Sequence, residues 1–309
     1  MTKFNRKFKQ EPINSLRHMA NIHVLRPGFY TTLQDTGRHG VAQYGVPQSG
    51  VMDSFSAGKA NLLLNNDPNA AVLEMLMTGP VLEFSSETYI AVCGAQFDIL
   101  LNDQPISLAK RYRVQKGDVL KFGRLHKGLR AYLAVSGGFQ TESVLGSRSQ
   151  YPGITAAPKL EKGVSLAITD EVVTAKALSR VNFEDTQLWD PVIEAYPGPE
   201  FELLSTEEQQ QLFERSFTLS SKSNRMAIPF EEIFDNVLKG ITTGPVLPGT
   251  VQLTPSGTLI ALMRDCQVSG GYPRVLQLST FGICQLAQKR PGESISFKRK
   301  ALDTGAISR

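Results

Sequence analysis

Residues 72–84 read VLEMLMTGPVLEF: two short apolar runs, Val72 to Met77 and Val81 to Phe84, broken by a Gly79-Pro80 turn. The texture repeats downstream. Tyr89 to Val92, Phe97 to Leu101, Tyr112 to Val114, Val119 to Phe122 and Ala131 to Val135 are further runs of strand length, set apart by Asn102-Asp103, Lys116-Gly117-Asp118 and Gly137-Gly138. Spacing of this kind predicts an antiparallel barrel or sandwich. A strictly parallel α/β sheet is disfavoured, because too few helical crossovers separate the runs.

Upstream, Ile22, Val24 and Leu25 form a short strand-like run that turns at Arg26-Pro27-Gly28 into Thr31-Thr32-Leu33. There begins the densest chemistry in the chain, TTLQDTGRHGVAQYGVPQSGVMD at 31–53. Glycines at 37, 40, 45 and 50 interrupt any regular element, while Gln34, Asp35, Arg38, His39, Gln43 and Tyr44 lie between or beside them. A loop so built lets the backbone approach a ligand and its polar side chains converge. Asp53 is predicted to cap a core-facing helix carrying Phe55, Ala60, Leu63 and Leu64, which Asn65-Asn66-Asp67-Pro68 stops.

Two further clusters combine glycine with hydroxyls and guanidiniums. One is Ser136-Gly137-Gly138-Phe139 followed by Leu145-Gly146-Ser147-Arg148-Ser149; the other is the run Arg264 to Arg274 with Asp265, Gln267, Gly270, Gly271 and Tyr272. Between them, residues 151–190 drift through Pro152, Gly153, Pro158 and Gly163 with weak apolar patterning, which places a lobe boundary there and the single Trp189 at the junction. Beyond it, Ser205 and Glu208 stand in capping-box spacing before a helix over about 206–215. Strands are predicted at 217–219, 251–253, 259–263, 275–278 and 294–297. The predicted organisation is an arm at 1–20, a first lobe at 21–150, a connecting segment at 151–190 and a second lobe at 191–309.

The 309 residues, 41% apolar and 20% charged, suffice for two domains with sizeable cores. Residues 1–20 hold Lys3, Arg6, Lys7, Lys9 and Arg17 against Glu11 alone, which accounts for the whole net charge of +4. The body is neutral, and composition gives no electrostatic case for nucleic-acid binding. The basic start is expected to be a disordered arm or an over-long start before Met19. Three dispersed cysteines make neither a disulfide framework nor a paired-thiolate metal site, and their odd number fits a reducing, cytoplasmic compartment. No run of 18 apolar residues is present to span a membrane.

The absences narrow the chemistry. Gly50 and Gly58-Lys59-Ala60 do not make a phosphate loop: the spacing is too long and alanine replaces the hydroxyl that would hold magnesium. There is no G-x-S-x-G elbow and no H-E-x-x-H, and of four histidines only His39 lies in a suggestive setting. Cys266 beside Asp265 reads as an inert small hydrophobe. No metal ligands are assigned.

Taken as an ordered series, several blocks resemble the biotin-dependent carboxyltransferase family that contains the C subunit of bacterial 5-oxoprolinase, the carboxyltransferase part of urea amidolyase and a sporulation-kinase-inhibitor antagonist. They are TTLQDTGRHG at 31–40, YGVPQSGVMD at 44–53, AN at 60–61, LE at 73–74, GP at 79–80, GLRAYLAVSGGF at 128–139, LGSRS at 145–149, PGPE at 197–200, GYP at 271–273 and AQKRPG at 287–292. The resemblance implies a mainly β chain with a few helices, folded as two cyclophilin-like β-barrel lobes. It also implies partners, a homologous B subunit and a LamB/YcsF-type A subunit. Departures occur at Asn224, Ala227 and Pro229, where the family commonly has Asp, Gly and a following Arg, at Cys266, where Arg is usual, and at Gln150, which replaces Thr.

On this reading the chain is the C subunit of an ATP-dependent complex that opens 5-oxoproline to glutamate, inactive without its partners. ATP and magnesium then act elsewhere in the assembly. Two alternatives are biotin-dependent carboxyl transfer to a urea-like nitrogen and a non-catalytic regulator that binds a kinase inhibitor resembling the B subunit. Asp35, Arg38 and Asp265 are the expected catalytic residues. Gln34, His39, Tyr44, Asp53, Gly137, Gly138, Ser147, Arg148, Arg225, Gln267, Gly270, Gly271 and Tyr272 are the expected substrate-binding residues, gathered in a cleft between the lobes.

Overall fold

A computed structural model of the chain describes residues 20–169 and 185–301. The expected arm therefore lies outside the described residues, apart from Ala20, which opens the first strand. The first lobe contains β1 (Ala20–Arg26), β2 (Tyr30–Gln34), β3 (Val72–Leu76), β4 (Val81–Phe84), β5 (Thr88–Leu101), β6 (Gln104–Ile106), β7 (Arg111–Val114), β8 (Val119–Val135) and β9 (Ser165–Ile168). They form one nine-stranded sheet ordered β2-β3-β8-β4-β1-β9, with β5 joining β8 to β6 and β7. Its pairs are antiparallel, and alternate residues such as Ile22, Val24, Leu73, Met75, Leu82 and Phe84 fill its core.

Two details differ from the sequence reading. The runs at 89–92 and 97–101 are one strand, β5, and those at 119–122 and 131–135 are one strand, β8. The register of β5 on β8 shifts between Gly94 and Ile99. At Gly94, with φ at +96°, a Cβ would lie 2.6 Å from the Arg130 carbonyl oxygen. The glycine therefore bends a continuous strand through a bulge instead of ending it. In addition, β9 falls inside the stretch expected to connect the lobes, yet pairs with β1.

The second lobe holds β10 (Val192–Pro197), β11 (Ser216–Thr218), β12 (Ala227–Ile233), β13 (Gly244–Pro245), β14 (Thr250–Leu253), β15 (Thr258–Leu262), β16 (Ser269–Gly270), β17 (Arg274–Leu278) and β18 (Ser294–Arg299). Seven of these make a sheet ordered β11-β18-β10-β17-β14-β15-β12, and β13 pairs with β16 alone. The pairing of β10 with β18 is parallel, and the other neighbours in this sheet are antiparallel. Its core is aromatic, with Phe217, Phe230 and Phe297 ring centroids 5.5 to 5.9 Å apart.

Three α-helices decorate the sheets: α1 (Ser54–Leu63), α2 (Thr206–Glu214) and α3 (Thr280–Ala287). Asp53 caps α1 by accepting from the Ser56 amide, and Ser205 and Glu208 form the expected capping box on α2. The sequence reading lacks α3. It is signalled by its Ser279 N-cap and by buried Ile283, Cys284, Leu286 and Ala287. The α1 and α3 helices meet between the sheets, where Phe55 and Phe281 pack edge to face at 5.4 Å. Among the described residues no helix is long and apolar enough to cross a membrane.

Candidate functional site

The glycine-rich loop after β2 folds back on itself. The Val51 amide donates to the Asp35 carbonyl at 2.9 Å and the Arg38 amide to the Gln48 carbonyl at 2.6 Å. This requires Gly37 and Gly50, both at positive φ: a Cβ at either would lie within 3.0 Å of backbone in the opposing limb. Asp35 then staples the loop to the first lobe. Its Oδ1 accepts from the Gly37 amide and the Ser147 and Ser149 hydroxyls, and its Oδ2 accepts from the Arg148 amide at 2.6 Å. From the other end of the loop Met52 is inserted into the second lobe's core.

Arg225, delivered by the turn before β12, reaches across from the second lobe and clasps this loop. Its Nε and Nη2 donate to both oxygens of Asp265 at 2.8 and 3.1 Å, and its Nη1 donates to Glu74 Oε1 on β3. Nη2 also reaches the Gly50 carbonyl at 2.6 Å and Gln34 Oε1 at 3.3 Å. Each of these partners is buried. Burial works to lower the Arg225 pKa, but the fields of Glu74 and then Asp265 outweigh it and leave it raised. A guanidinium suits this position because its planar fork can serve several acceptors at once.

Beneath the clasp a second polar seam joins the lobes. Gln288, following α3, accepts through Oε1 from the amides of Leu129 and Arg130 and donates through Nε2 to Asp53 Oδ2 and the Arg130 carbonyl. Arg130 Nη1 donates to the Ala287 carbonyl, and its Nε lies 3.9 Å from Glu74 Oε1. Burial raises the Asp53 carboxyl above its ordinary value, with the hydrogen bonds from Gln288 and Ser56 opposing.

Beside the clasp opens a cleft of about 610 Å3 whose wall includes Tyr30, Leu129, Arg130, Tyr151, Asn224, Arg225, Asp265 and Lys289. Phe29, Met77 and Met226 give it exposed apolar lining. A planar amide entering here meets a carboxylate acceptor at Asp265 and a guanidinium donor at Arg130, and Lys289 adds a further cation to the lining. Burial, the largest influence, raises the Tyr30 phenol, so that it stays a neutral hydroxyl.

The residues singled out by sequence divide among several places. Arg225 and Asp265 line the large cleft. Arg38, His39 and Gln267 line a smaller one, about 230 Å3, between the loop and residues 245–268. Arg38 is 2% exposed; its Nη2 donates to the Ser149 carbonyl, while Nε and Nη1 have no hydrogen-bond partner among the described residues. Arg148 lines a third, about 190 Å3, on the first lobe. Gln34, Asp35, Asp53 and Ser147 are buried in hydrogen bonds and line none of these three. Tyr44 and Tyr272 are exposed; Gly137 and Gly138 shape the turn after β8, Gly270 ends β16 and Gly271 follows it, all outside the three clefts.

Sequence reasoning missed Glu74, Arg130, Tyr30 and Lys289. Glu74 and Arg130 did carry a signal, because each is a charge inside an otherwise apolar strand, VLEML and LRAYL. Tyr30 carried no local signal, and Lys289 only its place in the AQKRPG block. Among the described residues no three His, Cys, Asp or Glu side chains stand close enough to share a metal ion.

The chain is 32% identical over 300 residues to the 5-oxoprolinase C subunit of Escherichia coli (strain K12), covering 93% of this chain and 94% of that one. Among solved structures it is similar to TTHA0988, with a TM-score of 0.80 and 26% identity, covering 94% of this chain and 57% of that one. It is also similar to the Kluyveromyces lactis urea amidolyase, with a TM-score of 0.81 and 26% identity over 91% of this chain and 19% of that one. The chain thus spans little more than half of the first structural neighbour and a fifth of the second. Residues 44–299 match the family model described as carboxyltransferase domain, subdomain A and B, and the chain belongs to that family.

Proposed function

We propose that this chain is the C subunit of a 5-oxoprolinase-type assembly that opens the lactam of 5-oxoproline to glutamate, with ATP and magnesium acting elsewhere in the complex. The observation that carries this reading is the near end-to-end similarity to a 5-oxoprolinase C subunit, at 93% and 94% of the two lengths. The cleft beside the clasp supports the chemistry. In ring opening one water adds across the amide: an oxygen attacks the carbonyl carbon, the carbonyl oxygen gains charge, and the nitrogen leaves with a proton. Asp265 accepts a hydrogen bond from the amide N–H and orients the ring, and the Arg130 guanidinium stabilises the developing oxyanion. Asp35, saturated by four donors, holds the loop rather than the substrate.

A homologous B subunit and a LamB/YcsF-type A subunit are the proposed partners, and the cytoplasm the proposed compartment. The test is reconstitution of the three proteins. ATP-dependent release of glutamate from 5-oxoproline that stops when this chain is omitted supports the reading, and its absence from the complete mixture overturns it.

The likeness to urea amidolyase favours a second reading, carboxyl transfer to a urea-like nitrogen. There biotin would supply the carboxyl group, and Arg130 and Asn224 would be the donors that hold it. Incorporation of labelled bicarbonate into urea, with ATP, a biotin carboxylase and a biotinylated carrier protein added, separates this from lactam opening.

A further inference from the structure

Lys289 follows α3 and lines the large cleft, yet its side chain has an unusual environment for an ammonium group. It is 7% exposed. Among the described residues Nζ donates one hydrogen bond, 2.8 Å to the Trp189 carbonyl, which leaves two of its three N–H groups without a partner there. Among the described residues no carboxylate lies within 4.0 Å of it. The other cations of this wall are compensated: Arg225 grips Glu74 and Asp265, and Arg130 lies near Glu74. Two guanidiniums therefore face two carboxylates, and the Lys289 ammonium is left over.

Lysine is almost never this buried without a carboxylate partner, because stripping water from an uncompensated charge is expensive. Burial indeed pulls Lys289 below the usual lysine pKa, against the more distant Glu293 and Asp190 and with Lys127 adding to the effect. A ligand that brought a carboxylate to Nζ would satisfy both remaining donors and cancel the excess charge. A neutral ligand would do neither.

We propose that Lys289 is the counter-ion for a carboxylate on the substrate, so that the cleft selects acid-bearing lactams and amides over neutral ones. The inference rests on the cleft being the substrate site. It separates the two functional readings, since 5-oxoproline carries a carboxylate beside its ring nitrogen and urea carries none. The amide of an acid-bearing lactam lies against Asp265 and its carboxylate against Lys289, and the wall between them is supplied by Arg130.

The test is calorimetric titration of the full chain with 5-oxoproline and with 2-pyrrolidinone, the same ring without the acid. Wild type is expected to prefer 5-oxoproline. Lys289→Met should weaken 5-oxoproline by about ten- to hundredfold, leave 2-pyrrolidinone unchanged, and lose less in the charge-keeping Lys289→Arg. Equal 5-oxoproline affinity in wild type and Lys289→Met overturns the proposal, as does a wild type that binds both rings alike or neither. Should Lys289→Met fail to fold, protection of wild-type Lys289 from reductive methylation by 5-oxoproline reads the same contact, and no protection counts against it. If the reconstituted assembly releases no glutamate while the carboxylate preference and its Lys289 dependence persist, the functional reading falls and this one stands.

Discussion

Replacing Arg225 with methionine keeps an unbranched, flexible side chain and removes the five hydrogen bonds that hold the glycine-rich loop between the lobes. Asp265 loses the guanidinium that engages both its oxygens, and Glu74 keeps the Met52 amide at 2.7 Å and a distant Arg130. Breaking one buried ion pair by removing a partner costs about 3–5 kcal/mol, and the orphaned Gly50 carbonyl adds roughly 1 kcal/mol. The variant should therefore be about 4–6 kcal/mol less stable, a large part of the 5–15 kcal/mol or so that holds a typical protein folded. Urea unfolding at pH 7 measures it. Adding Glu74→Gln to Arg225→Met should then cost less than the two single losses combined, because one stranded charge is gone. A loss below about 1 kcal/mol in Arg225→Met, or strict additivity in the double variant, would refute the clasp.

Two further outcomes follow from other titratable groups. Cys266 and Cys284 are buried, and burial pushes their thiols up to about 12 and about 11; Cys93 is buried as well. The native chain should release almost no colour from Ellman's reagent at pH 8 and the urea-unfolded chain three equivalents, whereas a rapid native equivalent would contradict the packing. The Glu200 carboxyl is held below its ordinary value, chiefly by its hydrogen bonds from Arg274 at 2.6 and 2.8 Å. A depressed carboxylate stabilises the fold fully above its unfolded value, near 4.3, and loses that contribution as pH falls through the native value. Wild type should exceed Glu200→Gln in stability at pH 6, with the gap closing below about pH 4; a gap that is constant with pH would assign the difference to packing.

The sequence revealed most of the strands because turn dipeptides sit at their ends, and it revealed the capping residues because Asp53, Ser205 and Glu208 act within their own helices. It split β5 and β8 because their apolar runs are interrupted around Gly94 and Gly128 when only neighbours in the chain are visible. In the fold these glycines let long strands bend past Arg130 and Trp189. The site was partly legible. Arg225 and Asp265 were found by their setting in short motifs, but Glu74, Arg130 and Lys289 acquire meaning only when strands and lobes distant in sequence meet. Asp35 illustrates the converse: its place in a polar loop suggests chemistry, and its four donors give it a holding role that no linear pattern encodes.

Whether the amide is held in the cleft beside Arg225 and Asp265 is decided by Asp265→Asn in the reconstituted assembly, at a temperature where near-ultraviolet dichroism finds the variant folded. With the amide against Asp265, ATP-dependent glutamate release from saturating 5-oxoproline should fall by about 10² or more, the scale for losing a group that orients or exchanges protons with the reacting amide. Turnover within about threefold of the parent, in a variant that folds and still assembles, would contradict this placement of the substrate.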